Sequence, residues 1–88
     1  MKVVALYHPK SDHAVRVEDY AKEYKRFHGR RLELISLEDH KGADLAKMHD
    51  ITVYPAILAI DNNGQVANIW QGGLLPLMDE LDAYFQPA

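Results

Sequence analysis

The stretch that most limits the architecture of this chain runs from Pro55 to Trp70. Ala56-Ile57-Leu58-Ala59-Ile60 is an apolar run of strand length and reads as a strand. Asn62-Asn63-Gly64 follows, and Asn and Gly tolerate the positive φ that tight hairpins demand. Val66 to Trp70 then returns antiparallel to the first strand. Upstream, Tyr54 precedes a proline and is pushed out of the α region, so residues 51–55 enter the hairpin in extended form. A mixed sheet built on such a hairpin is completed by a layer of helices on each face.

The rest of the chain supplies those layers. Val3 to Tyr7 is a second continuous apolar run, bounded by Pro9, and is expected to be the central strand. Ser11 and Asp12 offer N-cap side chains. Ala14, Val17, Ala21, Tyr24 and His28 then share one helical face, with Tyr20 and Phe27 beside them. Glu18 and Lys22 have the spacing of an i,i+4 ion pair. Lys25, Arg26 and His28 suit the negative end of the dipole, and Gly29 suits the C′ position, which together predict a helix over 12–28. Residues 32–37 read as a strand, 38–42 as a polar connection, and 43–49 as a short helix with Leu45 and Met48 inward. Gly72-Gly73 breaks the chain, and Pro76 fits a first helical turn. Leu77, Leu81, Tyr84 and Phe85 give a last amphipathic helix. The order β-α-β-α-β-β-α, with a right-handed first crossover, makes an α/β domain with a four-stranded mixed sheet and helices on both faces. One domain over residues 1–88 is expected.

Composition narrows the chemistry. The chain has 88 residues and no cysteine. Disulfides, thiolate nucleophiles, dithiol redox pairs and Cys-ligated zinc or iron–sulfur clusters are therefore excluded. Hydrophobic residues make up 48% and charged residues 26%, which places the chain outside the disordered class. A net charge of −3 argues against nucleic acid as a partner. The apolar N-terminal run is too short for a signal peptide or a membrane span, so the expected compartment is the cytoplasm, without membrane contact.

The element order, together with particular residues, resembles the thioredoxin/glutaredoxin superfamily at its minimal, glutaredoxin-like size. The best-matching segment is Ala43 to Trp70, where a short helix leads into Val53-Tyr54-Pro55, a strand, an Asn-Gly hairpin and a second strand. The resemblance places Pro55 where the superfamily has its cis-proline. In the first half, Tyr7-His8-Pro9-Lys10 leads to Ser11-Asp12-His13-Ala14 and then Val15-Arg16. The redox cysteines of a glutaredoxin correspond to Ser11 and Ala14. A second register, without a gap in the helix, puts them at Tyr7 and Lys10. Neither position holds sulfur, so the dithiol exchange implied by the family is impossible here. Glutathione recognition is also compromised. Thr52-Val53-Tyr54-Pro55 has one residue more than the glutaredoxin T-V-P, and Leu74-Leu75-Pro76 follows Gly72-Gly73 where an acidic pair would stand.

What the resemblance leaves is a binding corner without a thiol: Tyr7, Lys10, Ser11 and His13 beside Val53, Tyr54 and Pro55. A helix N-terminus with cationic neighbours suits a small anion, and the segment before the proline suits an extended peptide bound by backbone pairing. The leading expectation is a non-redox binding or interaction domain with a peptide, protein or small-anion partner and no cofactor, metal or catalytic residue. Several other readings stand beside it. Ser11 with His8 or His13 has the composition of a nucleophile and base, but no G-x-S-x-G elbow. His8, Asp12 and His13 are metal-competent donors. Tyr7 or Ser11 could supply the hydroxyl by which glutathione transferases favour the thiolate. Tyr54, Trp70 and Leu74-Leu75 could form an apolar patch, against the plainer reading that Trp70 packs under the last helix. A self-associating structural subunit is a third class. Lys25, Arg26, Arg30 and Arg31 read as a solvated basic face.

Overall fold

The computed structural model describes residues 2–73 and 75–85. In chain order the elements are β1 (Lys2–Tyr7), α1 (Ala14–His28), β2 (Glu33–Ser36), α2 (His40–Met48), β3 (Ala56–Ile60), β4 (Val66–Gln71) and α3 (Met78–Phe85). The sheet runs β2-β1-β3-β4. β1 is parallel to β2 and antiparallel to β3, and β3 is antiparallel to β4. The two strands that are apolar on both faces, β1 and β3, therefore take the two inner positions.

Alternation along those strands divides the core into two layers. Val3, Ala5 and Tyr7 of β1, with Ile57 and Ala59 of β3, face α1 and α3, where they meet Val17, Tyr24 and Leu81. Val4 and Leu6, with Leu58 and Ile60, face the other way, toward Ala46 of α2 and Ile51. Each layer lacks any buried charged or polar residue among the described ones.

The starts of α1 and α2 differ from the sequence expectation, and α3 begins at Met78, after Pro76. α1 begins at Ala14 rather than at residue 12, because residues 8–13 form a turn of their own, closed by Ser11 N–H to His8 O at 3.1 Å. α2 begins at His40, three residues early, and turns Gly42 and Ala46 inward. Met48 is consequently 71% exposed, and Leu45 is only half-buried. The reason is steric: a Cβ on Gly42 would lie 2.1 Å from the Ser36 carbonyl oxygen, so α2 docks against β2 through the one residue that lacks it. Phe27 and Leu77 also stay in solvent, at 67% and 71% exposure. Phe27 lies off the buried stripe of α1, and Leu77 precedes α3, whose inward residues are Met78, Leu81 and Tyr84. Pro76 is buried ahead of the helix.

The hairpin forms where expected, but Asp61 organises it. Asp61 Oδ1 accepts the Asn63 and Gln65 amides, both at 2.9 Å, while Gly64 takes φ 83°. A register shift between Ala59 and Ile60 lets the longer turn join the ladder.

α1 and α3 are clamped by one carboxylate. Asp82 Oδ1 accepts the Tyr24 hydroxyl at 2.7 Å, and Asp82 Oδ2 accepts His28 Nδ1–H at 2.5 Å. A carboxylate only accepts, so Nδ1 carries the proton. Arg30 Nε stands 3.5 Å from the same Oδ1. Tyr20, Tyr24 and His28, spaced i,i+4, stack successively along α1. Burial, and after it the bond to Asp82, push the Tyr24 hydroxyl well above its usual range. Burial pushes that of Tyr20 up to about 12. The Tyr24 hydrogen bond, followed by His28, holds the Asp82 carboxyl below its usual value.

Candidate functional site

The corner is built at the exit of β1. The chain leaves the sheet at His8, turns through Pro9-Lys10-Ser11 and enters α1. Ser11 Oγ donates to His8 O at 2.6 Å. That bond corrects the expected cap: the hydroxyl is spent closing the turn two residues before the helix-capping position. The N-cap residue is His13, and it makes no side-chain cap bond. Its Nε2 instead accepts the His8 amide at 3.1 Å. The Val15 and Arg16 amides, in the first turn, have no acceptor among the described residues.

The His13 contact fits one ionisation state of the ring. An Nε2 that accepts a hydrogen bond carries a lone pair, so the arrangement belongs to the neutral ring. Burial and then the neighbouring His8 hold the His13 pKa below its ordinary value, and Asp12 partly opposes them.

The loop before β3 closes the other side. The Tyr54–Pro55 peptide bond is cis, and Pro55 is fully buried. Tyr54 lies half-buried with its hydroxyl donating to Ile51 O at 2.7 Å, and its ring meets His8 edge-on at 5.2 Å. His8 in turn lies 6.1 Å from the His13 ring. Val53 is 50% exposed. Gly72 donates its amide to Pro55 O at 3.0 Å, and Arg16 Nη1 donates to Gly73 O at 2.9 Å. The double-glycine segment is thus tied both to the proline loop and to the first turn of α1. The backbone groups of Val53 and Tyr54 make no hydrogen bond to another described residue.

The structure therefore brings Ser11, His13, Val53, Tyr54 and Pro55 to one corner, with Lys10 exposed at its edge. It does not bring Tyr7 there. Strand alternation turns that side chain into the α1/α3 layer, where it is 9% exposed. Burial, and then the Glu18 carboxylate, raise its hydroxyl pKa. A hydroxyl so placed is a poor partner for a glutathione thiolate. Glu18 acts on Tyr7, and among the described residues it forms no ion pair with Lys22. The nucleophile reading fails too, since Ser11 Oγ bonds a carbonyl rather than a base. His8, Asp12 and His13 do not converge as ligands. Among the described residues the convergent donor group is His28, Asp79 and Asp82, and Asp82 is already engaged by Tyr24, His28 and Arg30. Trp70 is half-buried and edge-on to Tyr84 at 5.4 Å, so it packs under α3 with Leu75 rather than forming an open patch. Leu74 lies outside the described residues.

Sequence reasoning named His8 as a candidate base or metal donor, whereas the structure makes it the bridge between the two sides of the corner. Arg16, which anchors Gly73, was missed. The Val15-Arg16 position at the start of the helix marked the place, but nothing local shows a contact 57 residues away.

No family model matches the chain, and no curated protein matches it in sequence. Solved structures do. Thioredoxin 1 of Thermosipho africanus superposes with a TM-score of 0.65 at 9% identity, over 97% of this chain and 90% of that one. Plasmodium falciparum thioredoxin gives 0.63 at 13% identity, over 93% and 79%. A chain from the complex of ferredoxin:thioredoxin reductase with thioredoxin f2 gives 0.63 at 18% identity, over 96% and 74%. The fold is thioredoxin-like, in a chain without cysteine. Among the described residues no helix is long and apolar enough to cross a membrane.

Proposed function

We propose that this chain is a non-redox, thioredoxin-fold binding domain that receives an extended peptide along Val53-Tyr54, beside the start of α1. The observation that carries this reading is the backbone of Val53 and Tyr54, unpaired among the described residues, in the exposed loop next to the corner. An extended peptide would satisfy those groups by strand-like pairing, each bond being worth about 0.5–1.5 kcal/mol net. The free Val15 and Arg16 amides and Lys10 favour a carboxylate on the same ligand. The sulfur-free corner limits the interaction to reversible binding.

The test is amide chemical-shift mapping with a library of short extended peptides. Binding here moves Val53, Tyr54, Ser11, Val15 and Arg16 together. A library that leaves all five unmoved removes the reading.

A further inference from the structure

A second exposed backbone lies along β2, at one edge of the sheet. Among the described residues β2 pairs with β1 alone. Leu37, just past it, sends its amide inward to Tyr7 O at 2.9 Å. By alternation, the backbone groups of Leu34 and Ser36 point outward, and Ser36 O takes the Asp39 amide. Along this edge runs an open groove of about 340 Å³ between β2 and α1. Its floor is apolar, made by Ala21, Leu32 and Leu34. Its walls carry three cations, Lys22, Lys25 and Arg31, against one carboxylate, Glu18.

The charge there opposes that of the chain, which is −3 overall. None of the three cations has an ion-pair partner among the described residues. Glu33, the acidic residue of β2, is drawn to the other face, where Lys41 Nζ holds it at 3.2 Å. Glu18 is turned toward Tyr7.

We propose that this groove is a docking site for an acidic peptide segment that adds as a strand to the free edge of β2. An open edge offers main-chain pairing, and the groove reads the alternate side chains that face α1. Apolar residues rest on Leu32 and Leu34, and carboxylates reach Lys22, Lys25 and Arg31. Charge complementarity selects this occupant over a second copy, which would bring an equally cationic groove to the same edge.

The probe is the capped heptapeptide acetyl-Thr-Val-Thr-Glu-Thr-Glu-Thr-amide, added to the isotope-labelled full chain at low ionic strength. Expected are saturable shifts of the Leu34 and Ser36 amides with slowed exchange. The affinity should exceed that of the peptide with Lys in place of Glu by about tenfold and fall as salt is raised. The double substitution Lys22→Glu with Lys25→Glu, at exposed positions, should reverse the preference while the circular dichroism spectrum stays unchanged. Equal binding of the two peptides overturns the proposal. So do shifts confined to Val53 and Tyr54, or concentration-dependent dimerisation through β2 in light scattering. Because the amides are read one by one, failure at β2 is separable from failure at the Pro55 corner.

Discussion

Replacing Gly42 by alanine puts two effects of opposite sign in competition. Inside a helix the change normally stabilises, by about 1 kcal/mol. Here the new Cβ would lie 2.1 Å from Ser36 O, 2.9 Å from Ser36 C and 3.1 Å from Ile35 Cγ2. The closest two atoms belong to the backbone, so no rotamer change relieves the overlap. α2 has to move off β2 by roughly 1 Å, straining the Asp39 N–H to Ser36 O bond of 3.2 Å. Overpacking against backbone sits near the upper end of the usual 1–3 kcal/mol, so the net loss is roughly 2 kcal/mol once helix propensity is subtracted. That lowers the melting temperature by roughly 8–16 °C in a domain of this size. Urea denaturation followed by circular dichroism should show the midpoint fall at unchanged m. Ala43→Gly, one residue on and exposed, is the control. It should cost about 1 kcal/mol through propensity alone. If Gly42→Ala proves as stable as the parent, the close approach does not govern how α2 docks.

Three further outcomes follow from contacts in the core, the clamp and the corner. Leu81 is fully buried, so Leu81→Ala should cost about 2–5 kcal/mol in urea denaturation. Asp82 has a folded-state pKa below its unfolded one, so its stabilisation is present above about pH 4 and is lost as pH falls through the lower folded value. Asp82→Asn should therefore lower the melting temperature at pH 7 and flatten the acid limb of the stability profile, and an acid limb as steep as the parent's would refute the clamp's role. His13 is also depressed, but as a base it loses stability on gaining a proton. Stability is intact above about pH 6.5 and declines as pH falls toward the folded value. His13→Gln retains an acceptor for the His8 amide, so its urea midpoint should shift less between pH 7 and 5 than the parent's.

Where sequence and structure agree, the reason is local. The apolar runs of β1 and β3, the Asn-Gly turn and the αL residue at Gly29 are short-range signals, and each appears in its expected place. Where they part, a distant partner decides. Met48 has the spacing of a core residue, yet α2 is rotated by the approach of Gly42 to Ser36. Ser11 has the chemistry of a cap, yet the chain turns before the helix starts and the hydroxyl goes to His8 O. Tyr7 stands beside the corner in the chain but on the core face of its strand. Asp82 resembles any exposed helical aspartate until Tyr24, His28 and Arg30, more than 50 residues earlier, converge on it.

By itself the sequence determined the order of elements, the inner place of the first strand and the absence of sulfur chemistry. Hydrophobic periodicity, turn preference and composition act within a few residues. Only the tertiary structure decided which side chains share the corner, that His8 links Tyr54 to His13, and that among the described residues the Val53-Tyr54 backbone is unpaired and the outer edge of β2 has no partner strand. Those are matters of strand order and helix docking, which arise from packing between segments far apart in the chain and leave no periodic trace along it.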